Sequence, residues 1–543
     1  MSPRPRTATD PERADPARRR PLAVVGAVVT GLGVLALTVA IAVAGTWRGS
    51  VAPQEIALVT VDVPAAATEL VCPGPVRLPT EPESGSDAAY DPAFDPTPVA
   101  SSSGLGLVTV SPDGSSTAAA TRLDPLGPNG VEPLIAVVPD GAAAGGSLPD
   151  VPGGLVLRAE PAGQVPAWVA GATTALTTDG DLRGLVAASC SRASTESWLV
   201  GAGTSLGSSA RLVLDNPGRT AATVSVDLWG PSGPVELAGA PQYLVPAGEE
   251  RVVLLEGVAA EQERVVVHVV ASGGLVGAYL QDSALRGLVP AGTDDVVPGA
   301  APALRQVVPG LSVTGSTVDG ADVALLRLLA PGTQAGTATI SLLGPEGSVE
   351  LPGATEVDLE AGAVLDVPLG GLPAGHYTLV VDADVEVVAG ALLTRGLGVG
   401  LPPDAVGDPQ DGPPLDRAWA PSVALGAAGP LALPPGVDGE VVIGAVPVPG
   451  VTGVAQATLE LVGPDGVLGV TSLRIAPGTT SVQPLAELTG AASDAVGLVL
   501  RSADPRLAWA VVLTDERQDG DLVAVLSPVA PAPGQPSIAV RAR

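Results

Sequence analysis

The chain has 543 residues, too many for a single hydrophobic core, so several domains are expected. It carries 57 acidic and 27 basic residues, a formal net charge of −30, and every one of those basic residues is arginine. An acidic surface repels nucleic-acid phosphate, and no basic patch follows the N-terminus, so a nucleic-acid partner is excluded. The 69 glycines and 56 prolines separate short runs of Val and Leu, which is typical of many strands joined by turns.

The N-terminus predicts a membrane anchor. An arginine-rich arm over 1–20 precedes an uncharged apolar stretch over 21–45, which is long enough for a transmembrane helix. The positive-inside rule keeps the arm in the cytoplasm and exports everything after residue 46. A cleaved signal peptide is the alternative, because Ala42-Val43-Ala44 fits a cleavage site, although the apolar stretch is longer than usual for one. Both interpretations place the bulk of the chain outside the cytoplasm.

The only two cysteines, Cys72 and Cys190, lie in the exported region. In an oxidising compartment such a pair is most simply a disulfide. Two thiols and two widely spaced histidines are too few ligands for a metal site. We therefore predict a Cys72–Cys190 disulfide that closes the first exported domain.

The segment "WLVGAGTSLGSS" over 198–209 contains the pattern Gly203-Thr204-Ser205-Leu206-Gly207, which fits the nucleophile elbow of serine hydrolases. That elbow needs a helix after the serine, with an acid and a histidine following in chain order. Ser205 is instead followed by "SSARLVLDNPG", which is typical of a strand that enters a turn. The glycines are therefore predicted to shape a connection between strands.

Three internal repeats dominate the rest of the chain. Each has a strand, a Pro-Gly turn, a second strand of alternating polarity and a Gly-Pro-x-Gly turn. The copies begin at Arg211, Leu325 and Val441, and their Gly-Pro turns begin at Gly230, Gly344 and Gly463. Repeats of about 110 residues with frequent turns indicate β-sandwich domains of immunoglobulin-like size.

The predicted fold is all-β, with tandem immunoglobulin-like β-sandwich domains after one N-terminal transmembrane helix. A divergent fourth copy fills the first exported domain, with a long irregular loop over 83–104. The predicted segments are a cytoplasmic arm (1–20), a transmembrane helix (21–45), a divergent β domain closed by the disulfide (46–197), two β-sandwich repeats (198–300 and 301–400), a linker (401–416), a third β-sandwich repeat (417–532) and a tail (533–543).

The segment "ESWLVGAGTSLGSSARLVLDNPG" over 196–218 resembles a family of exported, single-anchor actinobacterial proteins with an uncharacterised domain. Those proteins carry a W-[FL]-V-G-G-G-T segment, then A-R-L-x-L-x-N-P-G and a G-P-x-G turn, with a cysteine upstream as Cys190 is here. The resemblance implies an envelope location and no established activity. This chain departs from the pattern at Ala202, where the family tends to have glycine.

Other candidate sites are weaker. His268 lies in a strand pattern and His376 lies just after a turn, so both are interpreted as structural or surface residues. Asp382, Asp384 and Glu386 alternate along one strand face but lack the glycine and distal glutamate of a calcium loop. The acidic stretch over 515–521 is interpreted as an exposed loop in which weak calcium binding stays open. No catalytic residue, cofactor or metal site is predicted.

The sequence thus favours a membrane-anchored, non-catalytic envelope protein whose β domains project outward in a row. Such an interaction or scaffolding arm would contact envelope proteins or cell-wall glycan. Two alternatives stay open: a hydrolase that acts on wall polysaccharide, which needs paired carboxylates, and a glycan- or solute-binding module.

Overall fold

The computed structural model describes residues 21–46, 59–62, 65–78, 102–127, 132–161, 166–239, 241–406, 412–489, 494–529 and 537–540. The chain divides into two compact units. One unit comprises Met1–Val63 with Ser537–Arg543, and the other comprises Pro64–Pro536. The larger unit is called the body below, and its four successive sheet pairs are called its modules. The predicted arm over 1–20 and most of the predicted loop over 83–104 lie outside the described residues.

The smaller unit contains helix α1 (Pro21–Thr46) and strand β1 (Val59–Asp62), which pairs antiparallel with the last strand of the chain, β36 (Ser537–Val540). The predicted helix over 21–45 is thus present, and a section of the predicted tail is a strand. Among the residues whose side chains are described, no helix is long and apolar enough to cross a membrane. Placement of α1 in a membrane stays a prediction.

The first module of the body forms two antiparallel sheets. Their strands are β2 (Thr68–Cys72), β3 (Ser102–Val110), β4 (Thr121–Pro125), β5 (Ile135–Val137), β6 (Ala143–Leu148), β7 (Leu155–Ala159), β8 (Trp168–Thr177), β9 (Gly184–Ser189) and β10 (Ser191–Arg192). The orders are β10-β2-β7-β4-β5 and β6-β3-β8-β9. Leucines of both sheets, including Leu107 and Leu157, are fully buried in one shared core.

The second module repeats this plan. Its elements are β11 (Glu196–Val200), β12 (Ser208–Asp215), β13 (Ala222–Gly230), β14 (Gly233–Val235), β15 (Gln242–Val245), β16 (Glu250–Leu254), α2 (Leu255–Val258), β17 (Val266–Ser272), β18 (Gly277–Arg286) and β19 (Val289–Val296). The sheet orders are β11-β17-β13-β14, with β15 beside β13, and β16-β12-β18-β19. In β13 the even positions Ala222 to Gly230 are buried and the odd ones are not, as the period-two pattern predicts.

In the third module a single long strand joins both sheets. The elements are β20 (Ala303–Val313), β21 (Leu325–Leu329), β22 (Gly336–Gly344), β23 (Gly347–Val349), β24 (Glu356–Leu359), β25 (Val364–Pro368), β26 (Gly375–Gly396), α3 (Pro403–Val406) and β27 (Leu415–Pro421). The first half of β26 pairs with β20 and β22, and its second half pairs with β21 and β27.

The fourth module forms two four-stranded sheets. It contains β28 (Gly429–Ala432), β29 (Asp438–Ala445), β30 (Ala455–Gly463), β31 (Gly466–Ile475), β32 (Thr480–Pro484), α4 (Leu485–Thr489), β33 (Gly497–Arg501), β34 (Leu507–Asp515) and β35 (Leu522–Leu526). The orders are β28-β33-β30-β31 and β32-β29-β34-β35. The described residues of the body are therefore all-β apart from three short helical turns.

Four strands, drawn from all four modules, form a closed ring. They are β9, β19, β27 and β35, each at the edge of its own sheet, and they are called the ring strands below. Each contacts the next, and β35 contacts β9. The hydrophobic cores also cross between modules: Val108 and Leu185 of the first module pack into the core of the fourth. The body is therefore one compact unit, in which the four modules share strand edges and parts of their cores.

Two predicted domain borders fall inside strands. The border at 197/198 lies within β11, and the border at 417 lies within β27, which pairs with β26 rather than with the fourth module. The reason is that the repeats align on turns, whereas strands begin a few residues to one side. The Pro- and Gly-rich composition of 401–416 also hides the start of a buried strand at Leu415.

Candidate functional site

Ser205 lies in a turn between β11 and β12. The backbone N–H of Ser208 donates to the carbonyl of Ser205 (2.8 Å), and strand β12 begins at once. No helix follows the serine, so the arrangement of a nucleophile elbow is missing at this point. The glycines have steric reasons instead: a Cβ at Gly203 would lie 2.7 Å from the carbonyl oxygen of Glu263, and Gly207 has a φ of +83°.

Ala202 has a φ of 71°, in the left-handed region that favours glycine. Glycine would adopt this conformation without the steric cost that alanine bears. The Ala202 carbonyl accepts hydrogen bonds from the guanidinium of Arg327 and the backbone N–H of Val265. These bonds, and burial of the methyl group, hold alanine in a conformation that costs about 1–2 kcal/mol.

The two histidines lie on different strands, and neither hydrogen-bonds Ser205 among the described contacts. His268 on β17 stacks on Trp198, with 4.1 Å between ring centroids, and its Nε2 lies 3.0 Å from Glu196. Nε2 of His376, on β26, lies 2.5 Å from Oε2 of Glu440. Burial lowers the pKa of His376, which the carboxylate of Glu440 opposes. Both histidines therefore lie in local packing and polar contacts with a neighbouring glutamate.

The acidic strand face on β26 lies mostly in solvent. Asp382 pairs with Arg305 (2.6 Å), and Asp384 accepts a hydrogen bond from the backbone N–H of Thr337 (2.7 Å). Within the described residues no group of three or more metal-ligating side chains comes together. In the acidic stretch over 515–521, Arg517 pairs with Asp515 and Asp519 pairs with Arg183.

The predicted disulfide between Cys72 and Cys190 is confirmed. It joins the end of β2 to the residue after β9, 118 positions away, and both cysteines are buried in the core of the first module. Gly171 on β8 passes directly beneath the bridge, since a Cβ there would lie 2.6 Å from Sγ of Cys190. The glycine is therefore required by the disulfide.

Buried aspartates form hydrogen bonds between the ring strands. The sequence analysis did not identify these aspartates as candidate residues. Asp416 on β27 accepts hydrogen bonds from the backbone N–H groups of Leu185 on β9 (3.2 Å) and Val523 on β35 (2.9 Å). Asp294 on β19 accepts one from Trp419 on β27 (2.5 Å). Edge strands carry unpaired N–H groups, which cost free energy when buried without an acceptor. The carboxylates supply those acceptors.

Asp282 on β18 completes this junction. It accepts from the guanidinium of Arg417 (2.7 Å) and from the indole N–H of Trp419 (2.8 Å). The guanidinium of Arg327 also lies over the Trp419 ring, 4.8 Å from its centroid. Asp282, Asp294, Asp295 and Asp416, together called the carboxylate junction below, are all at most 4% exposed.

Burial raises the pKa values of three of these carboxyl groups. The pKa values of Asp295 and Asp416 rise to about 7, opposed by Arg211 for Asp295 and mainly by backbone hydrogen bonds for Asp416. The pKa of Asp294 rises well above its usual value. One oxygen of each has no hydrogen-bond partner within the described residues, so the desolvation of the charged form is only partly offset.

The ring strands end at a cleft of about 410 Å³. Residues that follow β9, β19, β27 and β35 supply most of its lining, so all four modules of the body contribute. A polar wall comes from the first and second modules: Ser189, Ser191, Arg192, Ser194, Glu196 and Ser197. The segments after β19, β27 and β35 contribute mostly aliphatic residues, Val297, Pro298, Pro421, Val423, Pro528 and Val529, together with Ser422 and Ser527.

The polar wall has one carboxylate and one guanidinium. Glu196 Oε1 accepts from Trp198 Nε1 (3.2 Å) and lies 3.0 Å from His268 Nε2, so its charge is partly engaged. Arg192 is half-buried, and burial lowers its pKa. The cleft has the volume typical of small-molecule sites. Its amphipathic lining suits binding rather than acid–base chemistry.

The fold and the cleft define an all-β protein whose four modules share one ring of strands. The chain belongs to a family of unknown function, DUF5719, whose sequence model matches residues 145–447, more than half of the chain. That match begins in β6 and ends just after β29, so it includes most of the ring. No curated protein matches the chain.

Proposed function

We propose that this protein is a non-catalytic interaction scaffold of the cell envelope, anchored by α1 with its body outside the cytoplasm. The observation that carries the location is the buried Cys72–Cys190 disulfide, because disulfides persist in oxidising compartments. The uncharged α1 and the arginine-rich arm before it support a single-pass anchor with the N-terminus inside. The strongly acidic composition keeps an apolar-rich chain soluble there.

We further propose that the sheet pairs are immunoglobulin-like sandwiches. Their antiparallel sheets enclose shared aliphatic cores, and their tight turns recur with the sequence repeats. A second feature is Tyr377, whose hydroxyl donates to the backbone carbonyl of Pro373 four residues upstream (2.9 Å). Immunoglobulin-like sandwiches use a tyrosine in this way at a corner between strands.

The non-catalytic assignment rests on the side chains that line the cleft and on the surroundings of Ser205. Glycoside hydrolysis needs two carboxyl groups about 5–9.5 Å apart across a cleft. Glu196 is the one carboxylate among the described residues that line the cleft. Ser205, with a strand in place of a helix after it, lacks the support of a nucleophile elbow. Binding to envelope proteins or cell-wall glycan is the function that this surface supports best.

Cysteine labelling tests the location. In the Ser115→Cys variant an exposed residue of the body becomes a thiol, and a membrane-impermeant maleimide should label it in intact cells. A Ser2→Cys variant serves as the matched control and should be labelled only after lysis. Labelling of position 115 only after lysis would overturn the extracytoplasmic placement.

Two assays test the scaffold role. Cross-linking in intact cells followed by purification should recover envelope proteins or wall glycan with the body. The purified chain should release no reducing ends from wall polysaccharide. Release that disappears in a Glu196→Gln variant would instead establish the hydrolase alternative.

A further inference from the structure

Strand β31 leaves one long sheet edge open in the fourth module. It has ten residues, Gly466–Ile475, and pairs with β30 on one side. Within the described part of the chain, no strand pairs with its other side. A free edge presents a row of backbone N–H and C=O groups that can pair with a further strand. Natural proteins protect such edges with short strands, charged side chains or proline.

The equivalent edges of the second and third modules are protected in this way. There the strand after the Gly-Pro turn, β14 or β23, has only three residues, and a separate strand of four residues follows, β15 or β24. Both pieces pair with the same neighbour, β13 or β22. Pro234 lies in β14, and Glu356 and Asp358 lie in β24. In the fourth module one continuous strand takes the place of both pieces.

The side chains of β31 leave the edge apolar as well as open. Val467, Leu468 and Val470 are 44%, 46% and 62% exposed. No charged residue lies between Gly466 and Leu473. The chain has a net charge of −30, so most surfaces of two copies repel each other. An edge without acids is therefore a place where two copies can approach closely.

The two ends of β31 carry opposite charges, which makes the strand complementary to itself. Asp465 precedes the strand and Arg474 lies near its end, and both are exposed. If two copies pair antiparallel about a centre near Gly469, Arg474 of each copy lies beside Asp465 of the other. The same register sets Leu468 opposite Val470 of the second copy, and such apolar cross-strand pairs stabilise a sheet. A parallel pairing would instead place like charges side by side.

We propose that β31 pairs antiparallel with β31 of a second copy of this chain, across a two-fold axis near Gly469. The pairing joins two four-stranded sheets, each of order β28-β33-β30-β31, into one sheet of eight strands. A two-fold contact uses the same surface on both copies and closes on itself, so it produces a dimer rather than a filament. This interface is independent of the scaffold role, because it requires β31 alone.

Sedimentation velocity of the purified full chain in detergent micelles, over a range of concentrations, measures the assembly. Wild type should show a monomer–dimer equilibrium. Val470→Lys places two like charges near the axis and should weaken dimerisation at least about tenfold. Leu244→Lys adds the same charge at an exposed position on β15, the equivalent edge of the second module, and should leave the dimer unchanged. A mixture of Val470→Lys and Val470→Glu should dimerise again, because the two charges now attract.

A cysteine at the axis tests the geometry. A Cβ at Gly469 would meet no other atom within 4 Å, so Gly469→Cys fits the fold. Opposite residues of an antiparallel pair have Cα atoms about 4.5–5.5 Å apart, which a disulfide can bridge. Under mild oxidation Gly469→Cys should form a covalent dimer and Leu244→Cys should not, with thermal unfolding to verify the fold of each variant. A monomer at every concentration, or a dimer that Val470→Lys leaves intact, would overturn the proposal.

Discussion

One oxygen of Asp416 accepts hydrogen bonds from the backbone N–H groups of Leu185 and Val523, residues that lie 231 and 107 positions away in sequence. A single side chain of the third module thereby joins the edges of sheets from the first and fourth modules. The sequence repeats specify the strands of each sheet pair, and this contact joins the third pair to the first and the fourth.

Replacing Asp416 should destabilise the whole body. In Asp416→Ala two buried N–H groups lose their acceptor, and each unsatisfied donor costs about 1–3 kcal/mol. We expect a loss of about 2–6 kcal/mol in the free energy of unfolding, measured by chemical denaturation. Asp140→Ala, at an exposed position, should stay within about 0.5 kcal/mol of wild type. Similar stabilities of the two variants would show that the carboxylate does not join the sheets.

Stability should fall as the pH rises from about 4 to about 7. The pKa values of Asp295 and Asp416 are raised to about 7 by burial, and those of Asp294 and Asp215 are also raised. In that window the folded state binds more protons than the unfolded state. The stabilisation is therefore complete below the pKa of the unfolded state and is lost as the pH rises through the pKa of the folded state. His376, whose pKa is lowered, acts in the opposite sense below about 6.5.

The Asp416→Asn variant separates the titration of Asp416 from general charge repulsion, which also lowers stability as the pH rises. The amide keeps one oxygen for the two N–H groups and cannot ionise. Denaturation at a series of pH values should show a slope smaller by one proton, about 1.4 kcal/mol per pH unit at most. A slope identical to that of wild type would mean that Asp416 does not titrate in this range.

Reduction of the disulfide should cost about 5 kcal/mol, because the bridge spans 118 positions and restricts the unfolded chain. The double variant Cys72→Ser/Cys190→Ser should show the same loss without reductant and no further change with it. Thermal unfolding with and without dithiothreitol measures both. Unchanged stability after verified reduction would show that the bridge is dispensable.

The Gly203-Thr204-Ser205 segment should respond through its glycine rather than its serine. A Cβ at residue 203 approaches the Glu263 carbonyl oxygen at 2.7 Å, so Gly203→Ala should cost about 1–3 kcal/mol. Ser205→Ala should change stability by no more than about 0.5 kcal/mol. The reverse order in a denaturation experiment would restore a special role for the serine.

The sequence was sufficient to predict features with local signals. Period-two alternation and Gly-Pro turns predicted the strands, as at β13 and β22, and the scarcity of cysteine predicted the single disulfide. Helix α1 followed from a long uncharged stretch. For the strands and the helix, neighbouring residues alone determine the outcome, whereas the disulfide followed from the presence of only two cysteines.

The carboxylate junction and the cleft were not predictable in this way, because both arise from ring strands that lie about 100 residues apart. Asp294 and Asp416 resemble surface acids until the edges of four sheets enclose them. One signal was available: Thr293-Asp294-Asp295 interrupts the otherwise apolar sequence of β19.

Calorimetric unfolding of the intact chain tests most directly whether the ring strands unite the four modules. We predict one cooperative transition for the body, with equal calorimetric and van't Hoff enthalpies, that Asp416→Ala shifts as a whole to lower temperature. Two or more separable transitions, of which the substitution shifts only one, would show independent domains and contradict the account.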